Sequence, residues 1–504
     1  MPALRRMTSG LLLTATLSLG LATSLAAPAN AKDMFVVDLV NEPSSLDPQK
    51  QWNPDSYYVY RNIFDNLITR DNDGKIVAEI ATGWDQKSET EVVFKLRSDA
   101  KFHDGQPLTA ADVAFSVTRI IDPAFKSPQL SQFNKIKSAT VTGDNEVTIT
   151  TDGPYPVLLA QLVKLSIVPK HVVEKVGDDS FNAAPVGSGP YKFDRWERGS
   201  MVSLTRNADY WGTKGPFEKA EFRAVPDAAT RLADLQAGNA DLVVTIDADQ
   251  AKQVEGSGSA KVLSALTERI GYLKLNPTIA PLDDAKVRQA VSMAIDKQGI
   301  VEGLLGGYDK PATQMASDTY FGYTPDLENL PFDPEAAKKI VEETGAGKTK
   351  LSFATSPVFD QRIVQALAQM LSDVGFNVEI QLTDMAAYLK RAQSEPAQQA
   401  NLAFGRWSCA CQDVDGVLFP LLHSSSNWSS LRDQKIDGLL EKARNTLDEN
   451  ERSAAYADVA KFVADEVPIV PLYEAAVIYG GAQNLQWTPT ANESMFLNRM
   501  TWND

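Results

Sequence analysis

The sequence predicts an α/β protein divided over at least two domains, and three observations carry that prediction. Lys350 to Ala354 reads as a strand, Phe359 to Val374 as an amphipathic helix and Val378 to Leu382 as an alternating strand. Together they make a βαβ unit, which requires a parallel sheet in the C-terminal half. A separate block of strand, helix and hairpin, from Glu91 to Thr150, reads as a small α+β subdomain. Finally, 473 of the 504 residues remain once the first 31 are set aside, more than one hydrophobic core accommodates.

Residues 1–31 are set aside because they read as an export signal. Arg5 and Arg6 form a basic start, Leu11 to Ala27 is apolar and uncharged, and Ala29-Asn30-Ala31 is a small-x-small cleavage site. The apolar run is short for a membrane anchor, and no cysteine follows to carry a lipid. Removal of Arg5 and Arg6 takes the net charge from −16 to −18. So acidic a chain is unsuited to nucleic acid or to an anionic membrane surface. With 43% hydrophobic residues in periodic patterns it is not disordered either.

In chain order, Val36 to Val40 reads as a strand running into the rigid loop Asn41 to Pro48. Tyr58, Ile63, Phe64 and Leu67 have helical spacing and are expected in the core. Thr109 N-caps a helix, with Asp112 completing a capping box and Val113, Val117 and Ile120 as the apolar stripe. Gly187-Ser188-Gly189-Pro190 imposes a tight backbone. Strands follow at Met201–Leu204, Ala240–Val244 and Ile270–Asn276, with helices at Ala228–Ala237 and around Val287–Ile295. Gly375 closes the βαβ helix. Two more helices span Ile436–Arg444 and Arg452–Asp465, and Pro468 precedes a last strand in Ile469–Tyr479.

The stretch of chemical interest is Phe404 to Phe419. An apolar strand delivers Arg406, Trp407, Ser408, Cys409, Ala410 and Cys411 to its exit, the composition of a recognition wall. Trp407 offers a flat face and an N–H donor, Arg406 a planar fork for an anion. The bland alternative is a strand-to-loop exit with a structural Trp. Cys409 and Cys411 either pair in a tight Cys-x-Cys bridge or remain thiols in a buried wall. Gly345-Ala346-Gly347-Lys348-Thr349 imitates a phosphate loop, but Glu342 stands where a Gly is required, and a helix rather than a strand precedes it. The three histidines, His103, His171 and His423, complete no metal or hydrolase pattern. No enzyme is expected, and no metal or other cofactor.

Several ordered stretches then resemble the family 5 extracellular solute-binding proteins of ABC transporters. They are Glu42-Pro43 with Ser45 to Pro48, Phe94 to Arg97 with Phe102 to Gly105, Leu108 to Val113, Val186 to Tyr191, Asn207 to Trp211 and Asp284 to Asp296. The resemblance implies a two-lobed periplasmic-binding-protein fold of type II, cluster C. Lobe one would be 32–270 plus 480–504, including an extra α+β subdomain at about 70–180, and lobe two 271–479. The hinge strands would run near Tyr272 and Tyr479. It implies a monomer in the periplasm, a small-molecule solute closed between the lobes, and permease and ATPase subunits as partners. In peptide-binding members an aspartate three residues after the matching Trp takes the peptide amine; Ala410 stands there, with Asp413 nearby. The expected ligand-binding residues are Trp407, Arg406, Ser408, Cys409, Ala410, Asp413, Trp52, Tyr272 and Tyr388. Peptides, opines or sugar conjugates anchored on Arg406 (or on Lys390 and Arg391), oligosaccharides on Trp407, Trp428 and Trp52, and nickel chelates with His423 are the solute classes. A secreted hydrolase and a periplasmic chaperone or signalling receptor are the rivals from other classes.

Overall fold

The structure, a computed structural model, describes residues 32–51 and 53–503. The expected export signal and Trp52 lie outside the described residues. Ten strands of the main sheet are, in chain order, β1 (Met34–Leu39), β2 (Tyr191–Glu197), β3 (Met201–Arg206), β4 (Lys219–Ala224), β5 (Leu242–Val243), β6 (Ala260–Leu275), β7 (Lys350–Thr355), β8 (Asn377–Leu382), β9 (Leu402–Trp407) and β10 (Ile469–Ala482). Their order across the sheet is β8-β7-β9-β6-β10-β5-β1-β4-β3-β2, with Lys310–Pro311 added against β10.

The predicted βαβ unit is present. β7 and β8 pair in parallel, Lys350 beside Asn377, and the helix Gln361–Asp373 between them buries Ile363, Val364, Leu367 and Leu371. Gly375 follows at φ 103°, a conformation that suits glycine. β1 is likewise parallel to β4 and β5.

The centre of the sheet is the antiparallel pair of β6 and β10, which joins the β7–β9 half to the β1–β5 half. The sequence suggested a strand only from Ile270. β6 in fact begins at Ala260, because the charged Glu268-Arg269 that interrupts its apolar run is carried in a bulge: the register shifts between Leu266 and Ile270. Thr267 Oγ1 donates to Ala475 O (2.7 Å), the Arg269 N–H to Thr267 Oγ1 (3.2 Å), and the Glu268 N–H to Ala491 O (3.3 Å). These bonds fix how the bulge projects.

The α+β block is also as expected. Four strands run in the order Ala81–Ser88, Glu91–Leu96, Glu146–Thr151, Ile136–Gly143, and the helix Ala110–Ile121 packs on them through Val113, Val117 and Ile120. Asp112 accepts from the Thr109 N–H at 2.9 Å in the capping box. The block is tied to the helix Pro54–Ile63 through Gly187 and Gly189. The Gly189 N–H donates to Ile63 O at 2.8 Å, and a Cβ on Gly187 would stand 2.0 Å from that oxygen. His103 is threaded between them, Nδ1 accepting from the Gly187 N–H (3.2 Å) and Nε2 facing Gly189 O (3.1 Å).

Hydrophobic clusters divide along the sheet. One gathers Phe35, Val37, Phe64, Phe217 and Phe222 with Met495, Leu497 and Met500 from the C-terminal segment. Another packs Leu273, Val291, Phe353, Leu367, Phe404 and Val470, and a third packs Tyr320, Val417, Leu440 and Tyr456.

Candidate functional site

β9 lies against β6 with Trp407 opposite Ile270, Arg406 opposite Gly271 and Gly405 opposite Tyr272. Successive side chains on a strand face opposite ways, so this register sends Trp407 and Arg406 to different faces. Trp407 Nε1 donates to Gly416 O (2.9 Å), and its ring meets Trp428 edge-on at 5.2 Å. With Ser408, Cys409 and Ala410 it forms one wall of a cavity of about 700 Å³. Pro54, Tyr57 and Tyr60 stand in another wall, and Gln129, Lys135, Tyr155, Gln161 and Lys164 come from the α+β block. The β6 bulge contributes Glu268 and Arg269, and the C-terminal segment Ala491 to Glu493.

Cys409 and Cys411 form a disulfide, which closes the alternative of free thiols. The bridge sits over Gly416, where a Cβ would lie 2.3 Å from Cys409 Sγ. The wall is tied to its surroundings at both cysteines. The Cys409 N–H donates to Tyr320 Oη (2.9 Å), whose hydroxyl donates to Glu268 O (3.0 Å). Arg70 spans from the N-terminal part of the chain, donating to Gly74 O (2.5 Å) and Cys411 O (2.7 Å).

The remaining expected residues lie elsewhere. Arg406 is exposed and is absent from the cavity wall; its charge acts on Asp309 and Asp360 instead. Asp413 is 3% exposed and committed to Arg452, whose guanidinium donates to it at 2.8 Å. That buried pair, not the cavity, satisfies its charge. Tyr272 and Tyr388 are buried and border a separate void of about 20 Å³ beside Lys274, off the cavity wall, and the Tyr388 hydroxyl donates to Phe404 O (2.8 Å). Lys390 and Arg391 are not on the cavity wall either. His423 ends the helix Asp415–Leu422, stacked on Phe419 at 4.2 Å with Nδ1 at Ser425 Oγ (2.7 Å). Among the described residues no cluster of His, Cys, Asp or Glu is arranged to hold a metal ion.

The cavity's charges were missed in the sequence, apart from the wall itself. Its lining holds Lys135, Lys164, Arg269 and Arg444 against Glu268, Asp415 and Glu493. Arg269 pairs with Glu493 (2.9 Å) and Arg444 with Asp415 (3.1 Å). Burial pushes the Asp415 carboxyl up to about 6, with Arg444 pulling the other way. Glu493 sits at φ 55°, a left-handed backbone uncommon for a residue with a side chain. The one sequence signal was Glu268-Arg269 in the middle of an apolar strand.

A cavity of this size, walled by aromatics, backbone and a few charges and set between separately packed parts of one chain, belongs to a protein that encloses small solutes. The comparisons with known proteins say the same. Residues 75–429 match the family described as bacterial extracellular solute-binding proteins, family 5 Middle, and the chain belongs to that family. Its relatives include the glutathione-binding protein GsiB of Salmonella typhimurium, 27% identical over 487 residues, covering 93% of this chain and 94% of the relative. Among solved structures, the ABC transporter substrate-binding protein CtaP of Listeria monocytogenes superposes with a TM-score of 0.86 at 24% identity, over 94% of this chain and all of that one. The periplasmic binding protein DppA of Helicobacter pylori, solved with the peptide STSA, gives 0.77 at 24% identity, over 94% of this chain and 99% of that one. The fold is therefore the two-lobed α/β fold of these binding proteins, and the protein is a binding protein rather than an enzyme. No helix among the described residues is long and apolar enough to cross a membrane.

Proposed function

We propose that this chain is the periplasmic capture subunit of an ABC importer for short peptide-like solutes, exported by cleavage after Ala31. Lobe two, 271–479, closes on lobe one, 32–270 with 480–504, about the β6–β10 pair. The closed form is what the permease and ATPase subunits engage. The observation that carries the reading is the cavity between Trp407–Ala410 and Pro54–Tyr60, of a volume suited to a di- or tripeptide. The kinship with a glutathione-binding protein along almost the whole chain supports a small peptide over a sugar or a metal chelate. Trp407 covers the solute, and Ser408, Cys409 and Ala410 supply backbone and small side chains at its edge. Arg406, which faces away, does not favour an opine or sugar-phosphate anchored on that side chain.

Closure is driven only by tighter binding to the closed form. The test is thermal denaturation of residues 32–504 with glutathione, unmodified di- and tripeptides, opines, oligosaccharides and nickel chelates. A ligand at a hundred times its dissociation constant adds about 2.7 kcal/mol, a readable rise in midpoint. A rise with glutathione or peptides is expected. A rise confined to sugars, opines or chelates would refute the reading.

A further inference from the structure

Tyr272 and Lys274 are two residues apart on β6, so their side chains share one face of the sheet. Ala403 stands opposite Lys274 on β9, and Ala354 pairs with Ala403 from β7. Two methyl groups beside two long side chains leave a gap, the void of about 20 Å³ that Tyr272, Lys274, Ala354 and Ala403 all border. Arg391, from the helix Met385–Ala392, and Trp428 complete its wall. The space is that of one water-sized particle. Lys274 Nζ holds Trp428 O, and the Trp428 ring in turn meets Trp407, so the void lies behind the cavity wall and not in the cavity.

The charged groups at this void are both cations. Lys274 is 9% exposed, and its Nζ donates to Gln399 Oε1 (2.8 Å) and to Trp428 O, which leaves one of three N–H groups unused. Arg391 donates to Gln381 Oε1 and Ser352 Oγ, both neutral. The buried Tyr272 hydroxyl has no hydrogen-bond partner among the described residues. No carboxylate borders the void, and the charge that acts on Lys274 is that of a further cation, Arg432. Burial lowers the ammonium to about 7, and Arg432 adds to that. A buried ammonium is ordinarily paired with an anion, because leaving it alone is costly. A water molecule would accept from these donors but bring no charge. A carboxylate or a sulfate exceeds the space. A monatomic anion meets both requirements: it only accepts, and it cancels the positive charge.

We propose that the void between Lys274, Arg391 and Tyr272 is a binding site for a halide ion, chloride in the ordinary medium. The ion takes the unused Lys274 N–H and the Tyr272 O–H, with the Arg391 charge beside it. It lies among β6, β7, β9 and the helix Met385–Ala392, inside one half of the sheet, and ties the Trp428 segment to them through the same ammonium. Its occupancy is independent of any solute in the cavity, so its test neither needs nor decides the capture reading above.

The experiment is thermal unfolding of residues 32–504 without solute in sodium gluconate, with chloride or bromide replacing gluconate stepwise at constant ionic strength so that screening does not change. Either halide should raise the midpoint by about 1 °C or more at ten times its dissociation constant, and the rise should saturate as one site does. Lys274→Met should abolish the rise. Tyr272→Phe, which removes only the hydroxyl, should weaken halide binding by roughly three- to tenfold. Anomalous scattering from wild-type crystals grown in bromide should place one ion in the void. Bromide on the surface alone (an adventitious ion only), equal midpoints in halide and gluconate, or a halide response unchanged in K274M would each overturn the site. If K274M does not fold, Y272F decides, and an unchanged halide affinity there overturns it.

Discussion

Replacing Arg119 by Met should unseat the loop that leads into the cavity wall. Asp47 in that loop is wholly buried, and Arg119 grips it with both Nη atoms, at 3.2 Å on Oδ1 and 2.5 Å on Oδ2. The same guanidinium donates to Gln49 Oε1 (3.0 Å) and Asp178 Oδ1 (2.7 Å), and lies 3.9 Å over the Phe125 ring. Removing one partner of a buried ion pair typically costs about 3–5 kcal/mol, since the other charge is stranded. Asp47 would keep the Gln49 N–H at 3.0 Å, which places the expectation at about 3–4 kcal/mol. Guanidinium unfolding with linear extrapolation measures it. Most of the loss lies in the stranded carboxylate, so D47N placed on R119M should recover about half of it. A loss under about 1 kcal/mol in R119M, or no recovery in the double variant, would show that the pair is not what holds the loop.

Four further outcomes are expected. Gly416→Ala drives a Cβ to 2.3 Å from Cys409 Sγ and 2.9 Å from Cys411 Sγ, and should cost about 1–3 kcal/mol in unfolding with weakened capture. Trp407→Phe keeps a ring but loses the N–H to Gly416 O, and should cost about 1 kcal/mol of stability; Trp407→Ala should weaken solute binding by roughly tenfold or more in calorimetric titration. Burial lowers the His103 imidazole to about 4. A neutral ring is thus favoured in the fold, so its contribution is complete above the unfolded value of about 6.5 and lost as pH falls from there towards about 4. Unfolding free energies at both ends of that window, in wild type and His103→Gln, measure the difference. Cys409→Ser with Cys411→Ser opens a loop of only three residues, so the chain-entropy loss should be modest, roughly 1.5 kcal/mol by unfolding in the same denaturant.

Local pattern made much of the fold legible. The βαβ unit, the Thr109–Asp112 capping box and the Val113-Val117-Ile120 stripe rest on residues close in sequence, and each stands where periodicity put it. The wall at Trp407 to Ala410 was visible as an apolar run breaking into polar and small residues. What each side chain faces was not. Whether Arg406 or Trp407 points into the cavity depends on the register of β9 against β6, a strand far away in sequence. Asp413 looked available because its partner, Arg452, is 39 residues downstream on another helix. Glu268 and Arg269 precede the strand that the sequence places at Ile270; only the pairing with β10 shows that the strand starts earlier and carries them in a bulge.

The bulge in β6 also bears on how the protein would work as a transducer. A rotation of one half of the sheet against the other about the β6–β10 pair moves a group in proportion to its distance from that pair. Under the closure proposed above, Glu268 and Arg269, carried on β6 itself, would stay nearly fixed, so a solute contact there would be insulated from how far the lobes swing. Leu382, 54% exposed at the end of the edge strand β8, lies three strands from β6 and would travel much further. A fluorophore attached there would convert a contact at the fulcrum into a large displacement without touching it, and the chain would serve as a sensor whose selectivity and signal can be tuned at separate ends of one sheet.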